Sequence, residues 1–213
     1  MIQEQLISTF TPRGQAMERI MAVMFIAVSL IGCAGAKDRL PSLKGQRVVM
    51  VVASQQFRDE ELSQPREILR QAGAEVLLAS STLQQIHGML GMSAQPDILV
   101  DSLQAVDFDA LIFVGGAGAQ EYWADSTVHL LAKKAADSGK VLGAICIAPI
   151  TLAQAGVLSG KKATVGSSLQ GQLEQAGAIY TGTDVQVDGR VVTANGPGAA
   201  EEFGRHIAQL LAR

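Results

Sequence analysis

The feature that most constrains this chain is an alternation that begins at Gln46: short β-branched, apolar runs followed by longer segments with helical spacing. RVVMVVA (Arg47 to Ala53) has the length and composition of a strand buried on both faces. DEELSQPREILRQAG, from Asp59, carries Leu62, Ile68 and Leu69 at helical spacing and closes on Gly73. AEVLLAS and DALIFVGG read as further buried strands, and STVHLLAKKAADSG as a helix capped by its Ser or Thr. KVLGAIC and APITLAQAG repeat the strand-then-helix pattern. VQVDGRVVTA reads as a hairpin turning at Asp188-Gly189. GAAEEFGRHIAQLLAR is a closing amphipathic helix with Phe203, Ile207 and Leu210 on one face. Strands in this order are buried by a mainly parallel sheet with helices on both faces, so the chain is predicted to be α/β. In such sheets the site lies at the carboxyl ends of the strands.

Composition narrows the function classes. With 213 residues and 48% hydrophobic content the chain can build one domain with a full core. A formal charge of -3 and no long basic run argue against nucleic acid as the main partner, because phosphate binding needs clustered Lys and Arg. No clustered His/Cys spacing supports a metal site. VGGAGA does not fit the G-x-G-x-x-G spacing of a phosphate loop. Neither a metal nor a cofactor is therefore expected.

Before the alternation lies a different kind of segment. Ile20 to Ile31 is apolar except for Ser29 and is shorter than the ~20 residues that span a bilayer. With Arg13 and Arg19 ahead of it, it fits the core of a secretory signal. It ends in LIGC, which resembles a bacterial lipobox whose cysteine, Cys33, becomes the lipid-bearing first residue. The expected organisation is a signal peptide over 1–33, a tether over 34–45 and one domain over 46–213. Translation from Met17 instead of Met1 would give a signal of ordinary length. The resemblance to lipoproteins, with alanine after the lipid cysteine, implies a bacterial cell envelope location, at the outer membrane facing the periplasm, with the membrane touched only through the anchor. That leaves Cys146 as an unpaired thiol in a disulfide-permissive compartment.

Cys146 sits where a strand-like run meets a helix-like one. Ala144 and Ala148 flank it at two residues on either side, which suits a sharp strand-to-helix turn where larger side chains would collide. Pro149 fits the first turn of the helix. A thiol at a helix N-terminus is expected to ionise below its usual ~8.5. The N–H of Ile147 would point at the same spot as an oxyanion donor. A structural cysteine at a tight turn is the competing reading.

AICIAP, VGGAGAQ, FRDEE and NGPGAAEEF, taken together and in order, resemble the ThiJ/PfpI family over nearly all of Gln46 to Arg213. The resemblance implies a flavodoxin-like three-layer sandwich with a nucleophile-elbow cysteine. It matches Cys146 to the nucleophile, Glu61 to an acidic residue that hydrogen-bonds its sulfur, and Gly116 to the backbone position that joins Ile147 in an oxyanion pocket. Shielded from water, Glu61 would hold its proton. Asp59 and Glu60 read as exposed helix-start charges. A homo-oligomer is implied as well.

One departure bears on chemistry. Many family members carry a histidine directly after the cysteine or about twenty residues on; here those places hold Ile147 and Gly166 with Ser167. His129 and His206 read as solvated helix residues, and His87 falls in a loop or short hairpin able to approach a neighbouring subunit's site. Tyr122 and Trp123, after the glycine loop, line the pocket mouth or pack at a subunit contact. The resemblance implies a cysteine-dependent stress-protection protein. Its substrate would be a small carbonyl, consumed by glyoxalase- or deglycase-like chemistry, since thiolate attack on an aldehyde is intrinsically easy. The alternatives are a non-catalytic redox sensor or chaperone with an oxidisable Cys146, and a cysteine peptidase, which the missing imidazole disfavours.

Overall fold

Residues Arg47–Val51 form the first strand of a computed structural model that describes residues 39–213. The signal segment, the lipobox with Cys33 and all of the tether except residues 39–45 lie outside the described residues. In chain order the elements are β1 (Arg47–Val51), β2 (Gln55–Phe57), α1 (Asp59–Gln71), β3 (Glu75–Ser80), β4 (Ile86–Gly88), β5 (Ser93–Ala94) and β6 (Ile98–Leu99). Next come β7 (Ala110–Phe113), α2 (Ser126–Asp137), β8 (Val141–Ile145), α3 (Pro149–Gln154), β9 (Lys162–Ala163) and α4 (Gln170–Gln175). β10 (Ile179–Tyr180), β11 (Val185–Asp188), β12 (Val191–Ala194) and α5 (Ala200–Leu211) complete the fold.

The main sheet has seven strands in the order β11-β12-β8-β7-β1-β3-β6. All its pairs are parallel except the β11–β12 hairpin. Alternate residues of a strand point to opposite faces, so β1 feeds two cores. Val49 and Val51 join one core with Val128, Leu131 and Ile150 from α2 and α3. Val48 and Met50 join the other with Leu62, Leu69, Phe203 and Ile207 from α1 and α5. This is the expected flavodoxin-like α/β sandwich. The hairpin forms as read, although its loop is Gly189-Arg190, one residue later than expected.

Three further details depart from the sequence reading. The cap of α2 is Asp125, whose carboxylate accepts the N–H groups of Thr127 (2.8 Å) and Val128 (3.1 Å), and neither Ser126 nor Thr127 serves. A small sheet, β2-β4-β5, stands apart from the main one. Its strands are two or three residues long and show no period for a sequence reading to find. Asp59 is not a free helix-start charge, because it accepts the N–H groups of Leu90 (3.0 Å) and Met92 (2.7 Å) and ties α1 to that small sheet.

Among the described residues, no helix is long and apolar enough to cross a membrane. Phe203 is fully buried, and a Cβ on Gly143 of β8 would stand only 3.0 Å from its ring. The ring therefore fills space that the strand leaves open. Phe203→Ala is expected to lower the unfolding free energy by about 3–5 kcal/mol, checked by denaturant titration of the domain.

Candidate active site

Strand β8 delivers Cys146 into a turn that few side chains tolerate. Its φ is +64°, in the left-handed region, which costs a residue other than glycine roughly 1–2 kcal/mol. Neighbouring chain holds it there. The N–H of Cys146 donates to the Ala194 carbonyl (2.9 Å), and the N–H of Gly166 donates to the Cys146 carbonyl (2.8 Å). Ala144 and Ala148 are buried, as the turn requires, and Pro149 opens α3. Trp123 Nε1 donates to the Ile147 carbonyl at 3.2 Å, fixing the next peptide of the turn. Among the described residues one other non-glycine has positive φ, Gln56 at +55°. It too borders the site, since its carbonyl lies 2.5 Å from where a Gly116 Cβ would stand. Strain of this kind collects at functional sites.

The end of β7 supplies the opposite wall. A Cβ on Gly115 would stand 2.6 Å from the Cys146 Cβ and would run into Glu61 Oε2. The carboxyl and the cysteine thus approach each other across a backbone that must lack a side chain. Gly116 has φ +100°, and its missing Cβ would strike the N of Arg58. This lets the glycine backbone lie flat against the chain entering α1. The N–H groups of Gly116 and Ile147 both favour the ionised form of the Cys146 sulfur.

Glu61 has no exposed surface. Among the described residues neither of its oxygens makes a hydrogen bond of ordinary geometry, although the Cys146 thiol and the Gly115 N–H both favour its ionised form. Burial holds its carboxyl up at about 7, with the thiol, Arg58 and the Gly115 N–H acting in the other direction. Cys146 is half-buried. Burial first, and then the negative charge of Glu61, push its thiol up to about 11, against the pull of the two N–H groups. The expectation of a thiol below its usual range is therefore corrected. Helix α3 has only 6 residues and a correspondingly weak dipole, and the sulfur faces a buried acid. Between about 7 and about 11 the pair holds one proton.

The structure thus brings Cys146, Glu61 and the backbone of Gly116 and Ile147 into one place. No histidine is among the groups acting most strongly on the sulfur. His87 lies on β4, exposed, with Nδ1 3.1 Å from Ser93 Oγ. His206 sits on α5, 3.5 Å from Glu202. His129, on α2, is only partly exposed, with its Nε2 buried and without a partner among the described residues. Tyr122 is buried and donates to the Val52 carbonyl (3.1 Å), so it does not line a mouth. Sequence reasoning missed Arg58. Its backbone N–H donates to the Gly115 carbonyl (2.9 Å), and its charge acts on both Glu61 and Cys146. FRDEE offered only its place between an aromatic and an acidic run. A groove of about 480 Å³ between Val100–Val106 and α2 takes no lining from any of these residues.

A model of the DJ-1/PfpI family matches residues 46–210. The chain belongs to that family. It is 35% identical over 197 residues to a protein of Methanocaldococcus jannaschii, covering 90% of this chain and 96% of that one. It is 31% identical over 163 residues to a protein of Thermococcus kodakarensis named a deglycase, covering 76% and 98%. Among solved structures, a ThiJ/PfpI domain protein from Brachyspira murdochii superposes with a TM-score of 0.76 at 29% identity, over 80% of this chain and 97% of that one.

The shared proton yields a pH prediction. Glu61→Gln removes a negative charge that raises the thiol's pKa, so ionisation of Cys146 should move to lower pH. Rates of alkylation by iodoacetamide across pH 6–11 should show the variant reacting faster than wild type at pH 8. Superimposable profiles would mean that the carboxyl's charge does not reach the sulfur.

Proposed function

We propose that the protein consumes small reactive carbonyls through covalent addition of Cys146. One observation carries the reading: a buried carboxyl, unpartnered among the described residues, packs beside a single half-buried sulfur across Gly115, and two backbone N–H groups favour that sulfur's ionised form. A relative named a deglycase supports it.

The geometry suits an addition that needs no imidazole. Burial holds the Glu61 carboxyl at about 7, so its ionised form is within reach at neutral pH and can accept the thiol proton as the sulfur attacks, the role of a general base poised near the working pH. The C–S bond forms as the carbonyl π pair moves onto oxygen, and the N–H groups of Gly116 and Ile147 hold that oxyanion. With a 2-oxoaldehyde the adduct is a hemithioacetal. Glu61 then moves a proton from the former aldehyde carbon to its neighbour, which leaves a thioester. Water releases a 2-hydroxy acid and returns the thiol. The sum is one 2-oxoaldehyde plus one water, with no outside oxidant or reductant.

Purified wild-type protein should consume methylglyoxal and form lactate. Cys146→Ala should lower the rate by at least about 100-fold. Equal rates for the two proteins would remove the proposal.

We further propose that the domain is held at a bacterial envelope by lipid on Cys33, the reading that LIGC supports. Cells expressing the full chain should incorporate labelled palmitate into it, and Cys33→Ala should abolish the label. Labelling that survives the substitution would refute an anchor at this residue.

A further inference from the structure

The addition chemistry makes no use of the Arg58 side chain, yet that residue is built into the wall of the site. Its N–H is bonded to the Gly115 carbonyl, and its N occupies the space a Gly116 side chain would need. The guanidinium therefore springs from the strip of chain that packs on the oxyanion loop. Glu60 grips it as a two-pronged partner, with Nε to Oε2 at 2.8 Å and Nη2 to Oε1 at 3.1 Å. A guanidinium carries five N–H donors in a fixed fork. Glu60 engages two of them, and the guanidinium makes no other hydrogen bond among the described residues. The side chain is 29% exposed, so the remaining donors have access to solvent. A fork already held in place loses little freedom on meeting a second anion. Its charge also reaches the reacting pair, because Arg58 acts on both Glu61 and Cys146.

We propose that Arg58 is a specificity-determining residue that favours carbonyl substrates bearing a carboxylate beyond the reacting carbon, with Glu60 positioning its guanidinium. The substrate class is a 2-oxoaldehyde with a terminal carboxylate. The inference rests on the carbonyl reading above, and the reaction balances in the same way: 2-oxoaldehyde plus water gives a 2-hydroxy acid, with the distal carboxylate unchanged.

Alkylation of Cys146 tests the charge argument without turnover. Iodoacetate and iodoacetamide differ by a carboxylate against an amide, so the ratio of their rates reports how the site treats a negative group next to the sulfur. Any change in thiol ionisation or in folding moves both rates together and leaves the ratio alone. Relative to N-acetylcysteine, wild type should favour iodoacetate. Arg58→Gln should lower the ratio about fivefold at low salt, and Glu60→Gln, which keeps an acceptor oxygen to hold the fork while removing a repelling anion, should raise it. A ratio unmoved by Arg58→Gln, or one not raised by Glu60→Gln, overturns the assignment. The substrate class is then read from KM for 4,5-dioxopentanoate and for 2-oxopentanal, which differ only in a terminal carboxylate against a methyl. A lower KM for the dioxo acid, lost in Arg58→Gln, is expected. Turnover of both compounds without preference overturns this inference and leaves the carbonyl reading standing. Turnover of neither by wild type that consumes methylglyoxal overturns the substrate class and leaves the carbonyl reading standing, while inertness toward methylglyoxal as well overturns both; the alkylation ratio still decides whether Arg58 selects anions.

Discussion

Two side chains from distant parts of the sequence, Glu61 and Cys146, meet across a backbone that has no room for a third. The absent side chain of Gly115 is the constraint on which the site depends, since a methyl there would collide with the carboxyl and with the cysteine at once. The chemistry of the site stems from that closeness. The carboxyl loses water and keeps a proton into the neutral range, and its charge, once formed, resists ionisation of the sulfur. An acid and a thiol so coupled share one proton between them, with no histidine among the groups that act most strongly on the sulfur.

The sheet explains why these groups converge. Within the main sheet, the strands before β7 in the chain (β1, β3 and β6) lie to one side of it, and those after it (β8, β12 and β11) lie to the other. The order reverses between β1 and β7, and ligands bind beyond the carboxyl ends at such a switch. The chain leaving β1 carries Arg58 and Glu61, the chain leaving β7 supplies Gly115 and Gly116, and the chain leaving β8 supplies Cys146 and Ile147. Parallel pairing in register sets the three ends side by side, with Val51 opposite Phe113 and Phe113 opposite Ala144.

Much of this was legible in the sequence, for definable reasons. The central strands are continuous apolar runs, and α1, α2 and α5 carry apolar residues at helical spacing, so burial on a fixed period declared them. Cys146 stood out because Ala144, Ala148 and Pro149 are residues that a sharp turn into a helix demands. The β2-β4-β5 sheet was hidden, because strands of two or three residues are made by tertiary contacts such as Asp59 with Leu90 and Met92, which leave no local period. The direction of the thiol's shift was hidden for a related reason. Helix position could be read from the chain, but the depth of Glu61 and its charge beside the sulfur exist only in the folded protein. Arg58 escaped notice because a single arginine in an acidic run looks like solvated charge until the backbone of Gly115 and Gly116 is seen against it.

The indole of Trp123 is bonded to the carbonyl next to Cys146, and it is the only tryptophan in the chain. Nature has thereby placed one indole on the hinge of the cysteine's turn, with no second tryptophan to obscure it. Binding, oxidation or alkylation that tugs on this peptide alters the polarity around that ring, so the emission of the unlabelled protein serves as a native optical gauge of events at the sulfur.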